Sequence, residues 1–346
     1  MIEIAARRRP LTAGRVAGWT LGLAGLLAAV LVVAASLGAG RVSLLDALLG
    51  SGLSEVDRTI LFNVRLPRVL LAALLGGALT VAGVVFQALL RNPLADPYVL
   101  GVSGGASIGG VVALLLGLGG THAILGGLGV PLLAFAGALG ALLLIEWVAT
   151  VGGRLTVYTV LLTGAIFNAF SAALIYFIQS IASLQELHAI VFYLMGQIPS
   201  YTPGTLGLLA ITLGLIVLAL AALGRDYNAL SLGEEGAMQV GVDVDRLKRR
   251  TLLLGSLLTG IAVAVAGMIG FVGLIVPHIL RILLGPDHRL LLPAAFFGGA
   301  AFLVLADLVA RTVVAPGELP VGVVTALIGG PFFLYLLRQS RGRHGF

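Results

Sequence analysis

The chain of 346 residues contains no cysteine and a single lysine, and only 10% of its residues are charged. The first absence excludes disulfides, cysteine–zinc sites and thiol catalysis. The second excludes a GxxxxGK[ST] phosphate loop, because Lys248 sits in Leu247-Lys248-Arg249. The third excludes a soluble globular domain, in which roughly a quarter of residues carry charge and cover the water-facing surface. Histidine is also sparse: His122, His188, His278, His288 and His344 are scattered, with no HExxH or His-x3-His spacing for a metal. Carboxylates within apolar stretches are limited to Glu146 and Asp307; neither forms a relay with further acids, and they leave an ATP-independent secondary transporter or channel as the alternative reading of such a chain. Asp307 stands four residues before Arg311, the spacing of a helical ion pair.

What the chain has instead is apolar length. Hydrophobic residues make up 59%, and the mean hydropathy is +1.10. Runs of about 20 apolar residues, the span of a bilayer core as helix, recur throughout. They predict an all-α polytopic membrane protein with about ten transmembrane helices. The spans fall at residues 16–37, 66–89, 95–117, 130–150, 155–181, 204–223, 251–268, 269–284, 291–313 and 320–338. The first run, about 22 residues, exceeds the hydrophobic region of a signal peptide and reads as a retained helix. Three long connections remain: 39–64 with an amphipathic piece at 43–49, 182–203 with Glu186, His188, Pro199 and Pro203, and the strongly polar 225–250.

With both termini inside, the outer side holds Arg41, Arg58, Arg65, Arg68 and Arg311, and the other 16 of the 21 basic residues lie inside. This bias predicts cytoplasmic termini. The net charge of +6 is thereby assigned to membrane orientation and not to nucleic acid, since the basic residues flank apolar runs without interleaved aromatics.

Glycine numbers 49, often paired with a small residue four positions on, as in Gly76 with Thr80 and around Gly126 and Val130. In lipid, such pairs let helices approach closely. The glycine-rich stretch 101–107 belongs with them, because it lacks the lysine of a phosphate loop. Val81-Ala82-Gly83, Pro93 and Gly101 recur at an offset of 184 as Val265-Ala266-Gly267, Pro277 and Gly285. In the predicted topology the two copies run in opposite directions, an inverted repeat of the kind transporters use.

Arg65-Leu66-Pro67-Arg68, Arg91-Asn92-Pro93-Leu94-Ala95-Asp96-Pro97, Leu232-Gly233-Glu234, residues 270–281, Asp287-His288-Arg289, residues 305–311 and Glu318-Leu319-Pro320 occur in that order. In these stretches the chain resembles the FecCD-type permeases of ABC importers, which include iron–siderophore, haem and cobalamin permeases. The resemblance implies a cobalamin-permease-like (type II ABC importer) fold with an inverted pseudo-repeat. It implies a single transmembrane domain over 1–346: a first repeat at about 60–181, a coupling loop at 225–250 and a second repeat at about 251–338. It further implies a homodimer in the bacterial inner membrane, surrounded by lipid, with two cytoplasmic ATPase subunits and an extracytoplasmic substrate-binding protein. ATP and magnesium would belong to the ATPase partner, leaving this chain a non-enzymatic subunit without a cofactor of its own. By the same resemblance, Arg65, Arg68 and Arg311 would receive glutamates of the binding protein, and Leu232, Gly233, Glu234, Glu235, Ala237 and Gly241 would contact the ATPase. Thr156, Val157, Tyr158 and Thr159 would form the inner gate, bulkier here than the small hydroxyl residues of the cobalamin branch. Spans 155–181 and 320–338 would line the pathway.

Overall fold

The computed structural model describes residues 12–37, 54–119 and 128–341. Expectations at Arg7, Arg8, Arg9, Arg41, segment 43–49, His122, Gly126, Arg343 and His344 lie outside them.

Among the described residues thirteen helices follow one another: α1 (Ala13–Ser36), α2 (Glu55–Leu89), α3 (Val102–Leu115), α4 (Gly129–Ala149), α5 (Val157–Ile181), α6 (Leu184–Met195) and α7 (Pro203–Ala222). Then come α8 (Gly224–Leu230), α9 (Glu234–Gln239), α10 (Val244–Ala266), α11 (Val272–Leu284), α12 (His288–Thr312) and α13 (Val321–Arg341). All ten expected spans are helices. Seven of the described helices are long and apolar enough to cross a membrane; the spans at α3 and α11 are shorter apolar helices, and α13 is apolar over Val321–Leu336.

The polar connections hold more helix than hydropathy suggests. α2 begins at Glu55, well before the expected residue 66, because Ser54 Oγ accepts from the Asp57 amide at 3.1 Å and caps it. α6 occupies the connection 182–203 through a capping box in which Ser183 and Glu186 satisfy each other's amides. Within α2, residues 60–65 form a π-helical turn that ends on Arg65. The extra residue of such a turn shifts the face on which the following side chains emerge.

α2 is the core of the subunit. Residues 75–87 are all buried, as an all-round apolar helix must be. Two glycine crossings let its neighbours approach. A Cβ on Gly76 would lie 2.3 Å from the Gly299 carbonyl of α12, and one on Gly83 would lie 1.9 Å from the Gly273 carbonyl of α11. Helix axes can come this close only where both faces lack side chains. Gly105 meets Gly137 of α4 in the same way, so the stretch 101–107 is a helix crossing, as expected.

The order long helix, break, short helix, two long helices occurs twice, as α2–α5 and α10–α13. Each short helix opens on a left-handed residue, Gly101 (φ 87°) before α3 and Phe271 (φ 68°) before α11. Tyr98 ties the two breaks together: its hydroxyl donates to the Ile269 carbonyl at 3.0 Å and accepts from the Ile269 amide at 2.9 Å. The offset of 184 pairs unlike places. Gly101 opens α3 whereas Gly285 closes α11, and Pro93 lies in a turn whereas Pro277 is inside α11. The reason is unequal loops: 90–101 contains the Asn92-Pro93 turn and a 3-10 segment, while 267–271 is a bare break.

Candidate functional site

Polar side chains collect at the two ends of the bundle. At one end, where α2 starts and α12 finishes, Asp307 is fully buried. Arg68 approaches it with Nε at 3.0 Å and Nη2 at 2.9 Å, and reaches Glu318 with Nη1 at 2.7 Å. Arg311 Nε lies 3.3 Å from the other Asp307 oxygen, an ion contact whose angle falls short of a hydrogen bond. The expected pair Asp307–Arg311 therefore exists, and Arg68 joins it from 239 residues away.

The remaining guanidinium capacity goes to α1. Arg311 Nη2 donates to the Ala34 carbonyl, and Arg65 Nη1 donates to Ala35 and Ser36 at 3.3 and 3.2 Å. The last carbonyls of a helix have no intrahelical partner and carry its negative end, so these arginines cap α1 from outside. Arg65 and Arg311 are only 7% and 6% exposed. Of the three arginines expected to face an external protein, Arg68 alone keeps an edge on the surface, shared with the half-exposed Glu318.

At the opposite end, residues 225–250 fold into α8, a turn through Gly233 (φ 99°), α9 and the start of α10. Ala237 is fully buried and anchors α9, while Glu234 is held by Lys248 Nζ at 2.6 Å. Glu235 and Gly241 are exposed. Leu232, Met238 and Val240 project outward at 70%, 56% and 63% exposure. Met238 and Val240 were not singled out in the sequence; the available signal was two large apolar residues within the chain's most polar stretch. Three outward apolar side chains on a fixed base form a built contact surface.

α8 is latched to the turn before α12. Asn228 Nδ2 donates to Asp287 Oδ1 at 2.7 Å, and Asn228 Oδ1 accepts from the His288 amide at 2.9 Å. Hydrogen bonds from Arg289, reinforced by Asn228, hold the Asp287 carboxyl down at about 2. Thr156 stands at the N-terminal boundary of α5 at this same end, without a side-chain cap, beside a short hairpin (Thr150–Val151 with Arg154–Leu155) whose Gly153 carbonyl accepts from Arg249 at 2.5 Å. Val157 and Thr159 are half-buried and Tyr158 is 73% exposed. The four expected gate residues and the expected ATPase contacts thus share one end of the bundle. α5 leaves Ile166, Phe170, Tyr176 and Phe177 uncovered, and α13 leaves Leu327 and Leu334 uncovered.

The profile of the FecCD transport family matches residues 13–339. An uncharacterized ABC transporter permease of Bacillus subtilis is 48% identical over 82% of this chain and 80% of its own length. The cobalamin import system permease of Halobacterium salinarum is 43% identical, covering 84% of this chain and 77% of its own. The hemin transport system permease of Yersinia pestis is also 43% identical, covering 83% and 85%. Among solved structures, a metal-chelate type ABC transporter in an inward-facing conformation superposes with a TM-score of 0.82 at 32% identity, covering 92% of this chain and 98% of its own. The chain belongs to the FecCD transport family and is a multi-pass ABC importer permease.

Proposed function

We propose that this FecCD-family chain works as a homodimer in the bacterial inner membrane, with both termini cytoplasmic, and imports a bulky metal chelate of the iron–siderophore, haem or cobalamin class. Two cytoplasmic ATPase subunits supply the energy, and an extracytoplasmic binding protein delivers the ligand. The observation that carries this reading is the surface made by Leu232, Met238 and Val240, mounted on buried Ala237 and the Lys248–Glu234 pair. Its α8 is latched through Asn228 to Asp287 before α12. A push on α9 is therefore delivered to the ends of α10 and α12 together, as rigid-body rocking requires. The uncovered faces of α5 and α13 suit a second copy and a wide, weakly binding pathway. Val157 and Tyr158 at the start of α5 narrow its inner mouth.

Asp307, one of the two intramembrane carboxylates that an ATP-independent carrier or channel could use, is spent on ion pairs with Arg68 and Arg311, which favours the ATP-driven importer. For docking, Arg68 is the arginine that meets a carboxylate of the binding protein, with Arg65 and Arg311 holding the α1 end behind it.

The test is copurification of the tagged chain from its native membrane, followed by ATPase assay of the complex. An ATPase subunit should be recovered with the wild type and lost with Met238→Asp. Because Met238 is exposed, the variant should keep the wild-type melting temperature. Wild-type chain that purifies alone and drives uptake into liposomes without ATP would overturn the reading.

A further inference from the structure

A cavity of about 580 Å³ opens beside the coupling segment, walled by Gln87 and Arg91 from the end of α2, Asn228 from α8, Arg281 from α11, and Asp287 and His288 at the start of α12. Its charges do not balance. Arg281 donates to the neutral amide oxygen of Gln87 and has no ion pair among the described residues. Arg91, exposed and with a left-handed backbone (φ 47°), is part of the lining and has no ion pair among the described residues. Asp287 is the acid on this wall, and it is already engaged. Arg289 contacts its two oxygens at 2.6 to 3.3 Å, and Asn228 donates to it at 2.7 Å.

His288 adds a directional requirement. Asn228 spends its amide nitrogen on Asp287, so its oxygen is the acceptor that faces His288 Nδ1 at 2.8 Å. Nδ1 must therefore carry the ring proton and donate. Nε2 is left as a bare acceptor, buried with the 7%-exposed ring and without a partner. A buried acceptor in this state calls for a donor.

The cavity thus offers cations for an anionic oxygen, and its wall includes the His288 ring, whose buried Nε2 lacks a proton donor. A carboxylate or sulfate supplies only the first at neutral pH. A phosphate group with its own donor supplies both. The ends of α2 and α11 and the start of α12 converge here, at the boundary of the membrane-spanning bundle, where basic pockets between helices meet lipid headgroups. We propose that this cavity binds a donor-bearing phosphate group, with Arg281 and Arg91 on its anionic oxygens and His288 Nε2 accepting from its donor. The group is either a phospholipid headgroup (phosphatidylethanolamine or phosphatidylglycerol) or free hydrogen phosphate. Because α8 forms one wall, the occupant braces the coupling segment against α2, α11 and α12.

The full-length chain is purified for two measurements: native mass spectrometry after passage through nanodiscs of phosphatidylethanolamine, phosphatidylglycerol or phosphatidylcholine, and thermal unfolding in lipid-depleted detergent titrated with inorganic phosphate or sulfate. Retention of phosphatidylethanolamine or phosphatidylglycerol over phosphatidylcholine, lost in Arg91→Ala and Arg281→Gln, assigns the site to a headgroup. A phosphate midpoint about tenfold below that of sulfate, one charge-assisted hydrogen bond's worth, assigns it to free phosphate. Arg91→Ala changes an exposed side chain and keeps the test valid should Arg281→Gln unfold. The proposal is overturned if wild type shows neither response, if both variants respond as wild type does, or if phosphate and sulfate act alike. It is likewise overturned if Arg281→Gln loses only the ATPase subunit, which would mark an acidic side chain as the occupant. Neither measurement uses ATP or transport, so failure here leaves the permease reading untouched.

Discussion

The two polar ends of the bundle are built on opposite principles. Around Asp307, Arg68 and Arg311 engage one buried carboxylate, and Arg311 and Arg65 engage three helix-end carbonyls. Around Asn228, the pieces are smaller and partly solvated, Arg281 has only a neutral partner, and His288 keeps an unused nitrogen. The first arrangement ties α1, α2 and α12 into one body through charge. The second holds α8 to α12 through one side chain, Asn228, whose bonds to the Asp287 carboxylate and the His288 amide can open at moderate cost. A sealed end and an adjustable end are what a rocking permease needs, with rigidity inside each half and compliance where the drive is applied.

The sharpest way to break this contrast is Asp307→Ala. It leaves Arg68 and Arg311 facing each other with their common counter-charge gone, and loss of one member of a buried ion cluster costs about 3–5 kcal/mol. Thermal unfolding in detergent should show this as the largest drop among polar-end variants. A drop no greater than that of Asn228→Ala would refute the idea of a sealed end.

A smaller effect separates Arg68 from its two buried companions. Glu318 is 53% exposed and sits 2.7 Å from Arg68, where an incoming carboxylate would bind. Such a screened pair is worth about 0.2–1 kcal/mol. Glu318→Gln should therefore tighten docking of the binding protein by up to about fivefold, while Arg68→Glu should abolish it. Affinity measured on reconstituted membranes decides; weaker docking in Glu318→Gln would mean that Glu318 is itself a contact and not a placeholder.

Much of this could be read in the residues before the fold was known. The ten spans followed from apolar run length, and the i,i+4 spacing showed the Asp307–Arg311 pair. Arg68 could not be added to it, since only the crossing of α2 and α12 at Gly76 and Gly299 brings the three together. Nor could the burial of Arg65 and Arg311 be read, because an arginine at a span end looks the same whether it snorkels outward or caps a neighbouring helix. The short helices α3 and α11 were drawn too long, since hydropathy is blind to backbone sign. Gly101 hinted at its break, but Phe271 adopts a left-handed φ with no residue-level signal. Helix in the connections 39–64 and 182–203 is legible in capping spacings, Ser54 with Asp57 and Ser183 with Glu186, which hydropathy does not register. In the polar stretch 225–250 the motif located the segment, but only the structure sorts buried Ala237 and paired Glu234 from outward Leu232, Met238 and Val240.

The smallest expected effect tests the adjustable end through Asp287. Its carboxyl is lowered from 3.8 to about 2, first by hydrogen bonding to Arg289. A group whose folded value lies below its unfolded one stabilises only while ionised. The contribution is complete above about pH 4 and fades as pH falls toward about 2. Asp287 is part-exposed and its partner Arg289 is exposed, so screening limits the Asp287→Asn deficit to about 1 kcal/mol or less. Chemical denaturation should find that deficit constant from about pH 8 to about pH 5 and shrinking below about pH 4, as the wild-type carboxylate itself becomes protonated. A deficit that instead grew between about pH 7 and about pH 5 would place the titrating group at His288 and show that ring protonation, not the Asp287–Asn228 bond, sets the stability of the latch.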